Sequence, residues 1–201
     1  MIISDTKKFV FVHVPKTGGM SVRSVLGPHA TVGVWQHKFP VKQKNPELQK
    51  HAFARTLAKY IDWDKYYSFG FVRNPWAWAV SIYFYIRKDR KDPRHRQAND
   101  MNFDRFVHWM QDWDAEQYPI VGGQKNYLSS DKGRIIVNRI CRLEKFAEDF
   151  QKVCQHVGVP FKAPHKNTTT HAHYRTYYTD ASRRILGKLF AEDLHTFRYK
   201  F

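Results

Sequence analysis

The sequence predicts an α/β domain in which a central, mainly parallel β-sheet is flanked by helices on both faces. Three apolar runs, each followed by a turn and a helical pattern, are the evidence, because repeated strand-to-helix units favour parallel pairing. The chain has 201 residues, of which 42% are hydrophobic and 16% aromatic. Such a chain buries one sizeable core, and we predict a single domain over residues 1–201.

The first strand-to-helix unit lies near the start of the chain. Phe9–Val14 is a short run of β-branched and aromatic residues, which is typical of a strand buried on both faces. Pro15–Gly19 breaks this run, and from Met20 apolar residues recur at helical spacing as far as Gly27 and Pro28, which end the helix. The order is strand, glycine-rich turn, helix.

The second unit repeats this order in the middle of the chain. Tyr67–Val72 is another apolar run and predicts a second buried strand. Asn74 is a suitable N-cap and Pro75 a suitable first-turn residue. We therefore predict that a helix starts here and continues to about Ile86.

A third unit and two further helices complete the prediction. A strand is predicted over Ile135–Leu143, and apolar residues at helical spacing follow over Phe146–Val157. The same spacing predicts helices over Phe103–Trp113 and, after Thr179 as a cap, over Asp180–Phe190. Most of the aromatic residues of the second helix, from Trp76 to Tyr85, are expected to pack in the core rather than to stack on a ligand.

The composition is strongly basic. Lys and Arg number 34 against 18 Asp and Glu, so the formal net charge is +16, which concentrates anionic partners near the protein. The charge alone is compatible with a nucleotide, an acidic glycan, nucleic acid or an anionic membrane as partner. No helix-turn-helix, zinc-finger or RNA-binding aromatic motif is present, so we predict no nucleic-acid partner.

The N-terminal residues and the cysteines bear on the compartment. No apolar run approaches the roughly 20 residues of a membrane helix, and Met1–Lys8 lacks the apolar stretch of a signal peptide. We therefore expect a cytoplasmic protein without a transmembrane segment. Cys141 and Cys154 fall in a predicted strand and the helix after it, where we expect reduced, partly buried thiols.

The turn in Val14–Ser21 has the composition of a phosphate-binding loop. Between a buried strand and a helix, such a turn lets backbone N–H groups surround a phosphate, which the positive end of the helix also favours. The loop of nucleoside triphosphatases needs Lys after the glycines and a hydroxyl for magnesium. Here Lys16 precedes Gly18 and Gly19. The pattern therefore predicts phosphate binding without a dedicated metal.

Two motifs together resemble those of sulfotransferases. PKTGG after a strand is similar to the 5′-phosphosulfate loop of the branch that acts on carbohydrates. In FVRNPWAWAVS, Arg73 and Ser81 match in type and spacing the pair with which that family holds the 3′-phosphate. RLEKFAEDF, Lys166–Thr168 and Asp193–Phe201 also resemble the family, so the resemblance covers nearly the whole chain.

The resemblance implies a P-loop-like fold, 3′-phosphoadenosine 5′-phosphosulfate (PAPS) as donor, and transfer of its sulfuryl group to a hydroxyl, expected on a carbohydrate that is possibly acidic. The product nucleotide is adenosine 3′,5′-bisphosphate, and no metal is expected. Lys16 would face the bridging oxygen, where charge develops. The nucleotide-binding residues that the resemblance implies are Lys16, Thr17, Gly18, Gly19, Met20, Ser21, Arg73, Ser81 and Thr168.

The acceptor hydroxyl needs a general base, and histidine suits this role because its pKa lies near neutrality. The chain has 11 histidines. His51 lies between the two donor motifs and resembles the position of the base in family members that act on uronyl residues. His37 is a second candidate, whereas His13 in the first strand is expected to be a packed core residue.

Two other functions remain open at this point. A metal-dependent phosphotransferase or nucleotide kinase is also an α/β phosphate binder, but the motif Gly-Lys-Ser/Thr is missing. A non-enzymatic basic module that binds polyanions is favoured by charge alone. Three histidines in the last part of the chain lack the spacing and the carboxylate partner of a metal site. They are His165, His171 and His173.

Overall fold

The computed structural model describes residues 1–33, 47–161 and 172–201. The chain divides into two compact units. The first consists of Met1–Val72 and Gln124–Asn167, and the second of Arg73–Gly123 and Thr168–Phe201. The strands of the described residues all belong to the first unit.

The described residues of the first unit contain one sheet of five strands in the order β3-β1-β2-β4-β5. The strands are β1 Ile2–Ser4, β2 Phe9–Val12, β3 Val32–Gly33, β4 Tyr67–Val72 and β5 Arg139–Arg142. β2 pairs parallel with β4, and β4 with β5, whereas β1 is antiparallel to both of its neighbours. Only β1 therefore runs against the other four described strands, which confirms the mainly parallel sheet.

The predicted third strand was too long at its start. It begins at Arg139 rather than at Ile135, which forms only an isolated antiparallel bridge with Ser129. The reason lies in Asn138, whose side-chain oxygen accepts the backbone N–H of Ser68 at 2.7 Å and the Ser68 hydroxyl at 2.8 Å. A side chain thus replaces the backbone ladder at this point, and regular pairing starts one residue later.

The helices that the sequence predicted are present, and four shorter ones were missed. In the described residues the helices are α1 Gly19–Leu26, α2 Ala54–Leu57, α3 Pro75–Lys88, α4 His95–Asn99, α5 Phe103–Met110, α6 Gly123–Leu128, α7 Phe146–Val157, α8 Asp180–Leu189 and α9 Ala191–Phe197. The missed helices, α2, α4, α6 and α9, have 4 to 7 residues. Helices of one or two turns show too little periodicity to be recognised.

The core of the first unit lies between one face of the sheet and two helices. Phenylalanines of β2 and β4 pack with apolar residues of α1 and α7 in one buried cluster. On the opposite face, Leu128 at the end of α6 packs at Gly70 of β4. Helical residues therefore cover both faces, as predicted for an α/β domain.

Both cysteines are part of this core. Cys141 in β5 and Cys154 in α7 are free thiols with 0% exposure. Burial raises the pKa of Cys141 to about 12 and that of Cys154 to about 11. The two thiols thus stay protonated at neutral pH, and both are fully buried rather than partly buried as predicted.

A substitution at Gly70 tests how closely Leu128 packs against the sheet. A Cβ at Gly70 would lie 2.4 Å from Leu128 Cδ2, so Gly70→Ala should lower the free energy of unfolding by about 1–3 kcal/mol, measured by urea denaturation. Gly187→Ala in α8 is the control, because its Cβ would come no nearer than 3.7 Å to Trp76. Equal stability of the two variants would contradict close packing at Gly70.

The second unit is built on α3. Asn74 caps this helix by accepting the backbone N–H of Trp76 at 3.1 Å, and Pro75 is its first residue, as predicted. Trp76, Trp78 and Tyr83 are at most 8% exposed, which confirms core packing for these aromatic residues. The start of α3, which follows Arg73 and the cap Asn74, is therefore held firmly.

Candidate functional site

The loop between β2 and α1 turns sharply at two residues. Lys16 and Gly18 adopt left-handed backbone conformations, with φ of 60° and 87°. The hydroxyl of the buried Thr17 donates to the carbonyl of Val14 at 2.8 Å, and the N–H of Ser21 donates to the carbonyl of Gly18 at 2.9 Å. The hydroxyl proton of Thr17 is thus used to hold the loop.

The two glycines of this loop are needed for different reasons. Gly18 takes a left-handed conformation, and a Cβ there would also lie 2.9 Å from Leu143 Cδ1. At Gly19 a Cβ would lie only 1.8 Å from His13 Nε2. The first glycine therefore permits the turn, and the second makes room for the imidazole of His13.

The start of α1 suits an anion. The helix begins at Gly19, its N-cap Gly18 supplies no side-chain hydrogen bond, and its first turn contains no acidic residue. The first N–H groups of a helix have no partner within the helix, and the helix dipole is positive at this end. Met20 is 51% exposed and Ser21 half-buried, so these two residues of the first turn are accessible to solvent.

His51 lies beside this loop with one nitrogen engaged. Its Nδ1 is 2.8 Å from the carbonyl oxygen of His13. A carbonyl only accepts hydrogen bonds, so Nδ1 carries the proton and Nε2 has the free lone pair. In this tautomer, Nε2 is the atom that can take a proton from a substrate.

The pKa of His51 lies well below its usual value. Burial lowers it to about 4, the hydrogen bond to His13 opposes this shift, and the cations of Lys50 and Lys16 add to it. The imidazole is therefore neutral at pH 7 and able to act as a base. The positive charge of Lys16, the predicted catalytic lysine, thus acts on the imidazole of the predicted base.

His13 is the packed residue that the sequence predicted. It is 6% exposed, its ring stacks on Phe11 with 5.4 Å between centroids, and the ring of His51 is 4.4 Å away. Burial is the main reason that its pKa falls well below 6.5. Within the first unit, His13 thus contacts both His51 and, at Gly19, the loop predicted to bind phosphate.

Arg73 and Ser81 belong to the second unit. Arg73 is half-buried and directly precedes the cap of α3, and Ser81 lies within α3 with 3% exposure. Eight residues of helix rise about 12 Å. A guanidinium group that extends along the helix lies closer to the Ser81 hydroxyl than this rise. The pair has the residue types and the spacing on which the prediction of a 3′-phosphate site rests.

A comparison with protein families decides the assignment. The model described as "Sulfotransferase family" matches residues 1–200. The chain belongs to the sulfotransferase family. An uncharacterized protein of Archaeoglobus fulgidus is 32% identical over 116 residues, which are 56% of this chain and 85% of that protein. Membership supports an enzyme that transfers sulfuryl groups from a donor to an acceptor.

Several predicted residues of this sulfotransferase lie outside the described ranges. They are Thr168, which was predicted to contact the nucleotide, the second candidate base His37, and His165 and His171. Among residues 1–33, 47–161 and 172–201, no group of three or more His, Cys, Asp or Glu side chains is arranged to hold a metal ion. Over the same ranges, every helix is too short or too polar to cross a membrane.

The structure adds supporting residues that sequence reasoning missed. Phe53 packs on Tyr127 with 4.9 Å between ring centroids, and Arg55 donates to the backbone and side-chain oxygens of Asn126 at 3.0 and 2.9 Å. These contacts hold the segment that follows His51 against α6. Adjacency to His51 was the only signal for Phe53 and Arg55, and nothing in the sequence indicated their partners.

Proposed function

We propose that this sulfotransferase uses PAPS as donor and sulfates a hydroxyl of a carbohydrate acceptor. The observation that carries the proposal is the pairing, in one unit, of a phosphate-binding loop containing Lys16 with the neutral imidazole of His51. The motifs PKTGG and FVRNPWAWAVS support PAPS as the donor, and the net charge of +16 suits an acidic glycan. Because the family match spans residues 1–200, we propose one sulfotransferase domain.

In the proposed step, the acceptor oxygen attacks the sulfur of PAPS in line with the bond that breaks. The acceptor proton moves to His51 Nε2 as the new oxygen–sulfur bond forms. The bond between sulfur and the bridging oxygen breaks, and the charge that develops on this oxygen is stabilised by the ammonium group of Lys16. The products are a sulfate ester and adenosine 3′,5′-bisphosphate.

The nucleotide would be held at both of its phosphate ends. β2 and β4 are parallel neighbours, with Val12 opposite Gly70, so both strands end at the same edge of the sheet. The phosphate-binding loop follows β2, and Arg73 follows the last residue of β4. We propose that the loop binds the 5′ end, that Arg73 and Ser81 bind the 3′-phosphate, and that Thr168 contributes a further contact. A guanidinium suits this role because it donates two hydrogen bonds to phosphate oxygens.

A comparison of nucleotides that differ in their phosphate groups tests the two proposed phosphate sites. Adenosine 3′,5′-bisphosphate should raise the melting temperature much more than ATP or 5′-AMP, because only the bisphosphate occupies both sites. Arg73→Ala should remove most of this preference, since a charged hydrogen bond contributes about 1.5–3 kcal/mol. The exposed Arg90 of the same unit provides the control, and Arg90→Ala should behave like the wild type. Equal shifts with all three nucleotides would contradict the assignment of Arg73 and Ser81.

The acceptor can be identified by following transfer of a labelled sulfuryl group. The protein is incubated with PAPS labelled in its sulfuryl group and a panel of neutral glycans, acidic glycans and small alcohols. Label is expected on glycan hydroxyls. Transfer of phosphate from ATP in the presence of magnesium, without transfer from PAPS, would support the phosphotransferase alternative instead.

A further inference from the structure

The imidazole of His13 is enclosed by parts of the proposed site. Its ring stacks on Phe11, lies 4.4 Å from the ring of His51, and occupies the space in which a side chain of Gly19 would stand. The backbone carbonyl of the same residue accepts the Nδ1 proton of His51 at 2.8 Å. One residue thus contacts both the phosphate-binding loop and the proposed base.

We infer that His13 is a positioning residue for sulfuryl transfer, one that fixes His51 in its Nδ1–H tautomer and at a set distance from the phosphate-binding loop. The inference rests on the proposed role of His51 as the base. It assigns no proton transfer to the His13 ring, because the proton that His51 donates goes to the backbone carbonyl.

The contacts explain why the side chain of His13 matters to a bond made by its backbone. The ring is held on one side by Phe11, on another by His51 and at its edge by Gly19, so the peptide group that bears the carbonyl has little freedom. Without the ring, a cavity opens between the loop and His51, and polar walls of this kind admit water. His51 would then lose its fixed orientation and part of its burial.

The charges around the two rings set the direction of the effect. Lys50, Lys16 and the amino group of Met1 face His51, and the same amino group, Lys50 and Arg23 face His13. Lys50, Lys16 and Arg23 are cationic, and burial lowers the pKa of the Met1 amino group to about 4, so that group adds positive charge only near this pH. These charges oppose protonation of either imidazole. Water admitted by loss of the His13 ring would solvate the imidazolium and screen these charges, and the pKa of His51 would rise towards its ordinary value.

The experiment follows the histidine side chains by ¹⁵N NMR between pH 4 and 8, in the wild type, in His13→Ala and in Gly19→Ala. The last variant displaces the ring, because its Cβ would lie 1.8 Å from His13 Nε2. In the wild type, His51 should show the Nδ1–H tautomer and stay neutral at pH 6. In both variants it should titrate at least one pH unit higher. Gly187→Ala, which meets no close neighbour, should leave the titration unchanged.

Turnover gives a second readout, with PAPS and the acceptor found in the glycan panel. In His13→Ala, kcat should fall about 10-fold or more, because small displacements of a base have large effects on rate. The affinity for adenosine 3′,5′-bisphosphate should change by less than about threefold, since His13 is not proposed to bind the nucleotide. If His13→Ala does not fold, the same measurements are made on His13→Asn, and the tautomer of His51 in the wild type provides a second test.

Two results would overturn the inference: a wild-type His51 with its proton on Nε2, or variants in which His51 titrates as in the wild type. A purely structural role of His13 would lower the folded fraction without moving the titration of His51. The NMR measurement needs neither donor nor acceptor. Failure of the proposed function would instead appear as a wild type that neither binds the bisphosphate nor transfers the sulfuryl group of PAPS.

Discussion

Replacing Lys16 with Ala should reduce kcat about 10²–10³-fold, the scale on which loss of one transition-state charge contact acts. The physical reason is that, in the proposed step, the ammonium group stabilises negative charge that appears on the bridging oxygen only as its bond to sulfur breaks. Ground-state binding of PAPS should weaken much less than turnover. The measurement is sulfuryl transfer from labelled PAPS, combined with titration of the bisphosphate.

Lys8 offers a matched control for this variant. Like Lys16, it is a lysine with a left-handed backbone, with φ of 50° against 60°, and it lies in the turn between β1 and β2 rather than in the loop. Lys8→Ala reproduces the backbone strain of an alanine at such a position without touching the proposed site. A comparable loss of turnover in Lys8→Ala would mean that strain, not the missing charge, explains the result. Because Lys16 offsets the charge in our proposal, wild-type activity should survive EDTA.

His51→Ala should bind adenosine 3′,5′-bisphosphate normally and yet lose about 10²-fold or more in kcat, the usual effect of removing a general base. The exposed His156 of α7 provides the control, and His156→Ala should retain wild-type turnover. Nucleotide binding lost together with turnover would show that His51 supports the structure. Near-normal turnover would shift the role of base to His37.

The pH dependence of the reaction should carry the same signature. A base acts in its deprotonated form, so the rate falls as the pH drops through the pKa of His51. In the free enzyme that pKa is about 4, and kcat/KM should decline only near this pH. Bound PAPS brings negative charge next to His51 and should raise its pKa, so kcat should decline at a higher pH than kcat/KM. A decline unchanged in His51→Ala would exclude this residue as the titrating base.

The sequence by itself determined the elements that local chemistry specifies. Asn74 and Pro75 begin α3, Thr179 begins α8 and Gly158 ends α7, and each acts on backbone groups within a few residues. The turn between β2 and α1, which we propose binds phosphate, belongs to the same class, since its left-handed residues and glycines are adjacent in the chain. Such features can be predicted from the sequence because the residue that specifies the structure and the backbone groups on which it acts lie in one segment.

The tertiary structure alone decided how the proposed base is set up. His13 and His51 are 38 positions apart, and their contact depends on the folding of the segment before α2 onto the end of β2. That contact selects the tautomer of His51, and burial beside Lys16 and Lys50 keeps its imidazole neutral. The start of β5 was set in the same way, by the side chain of Asn138 on Ser68, 70 positions away. Such effects come from packing and charge between distant segments, on which the order of residues along one segment carries no information.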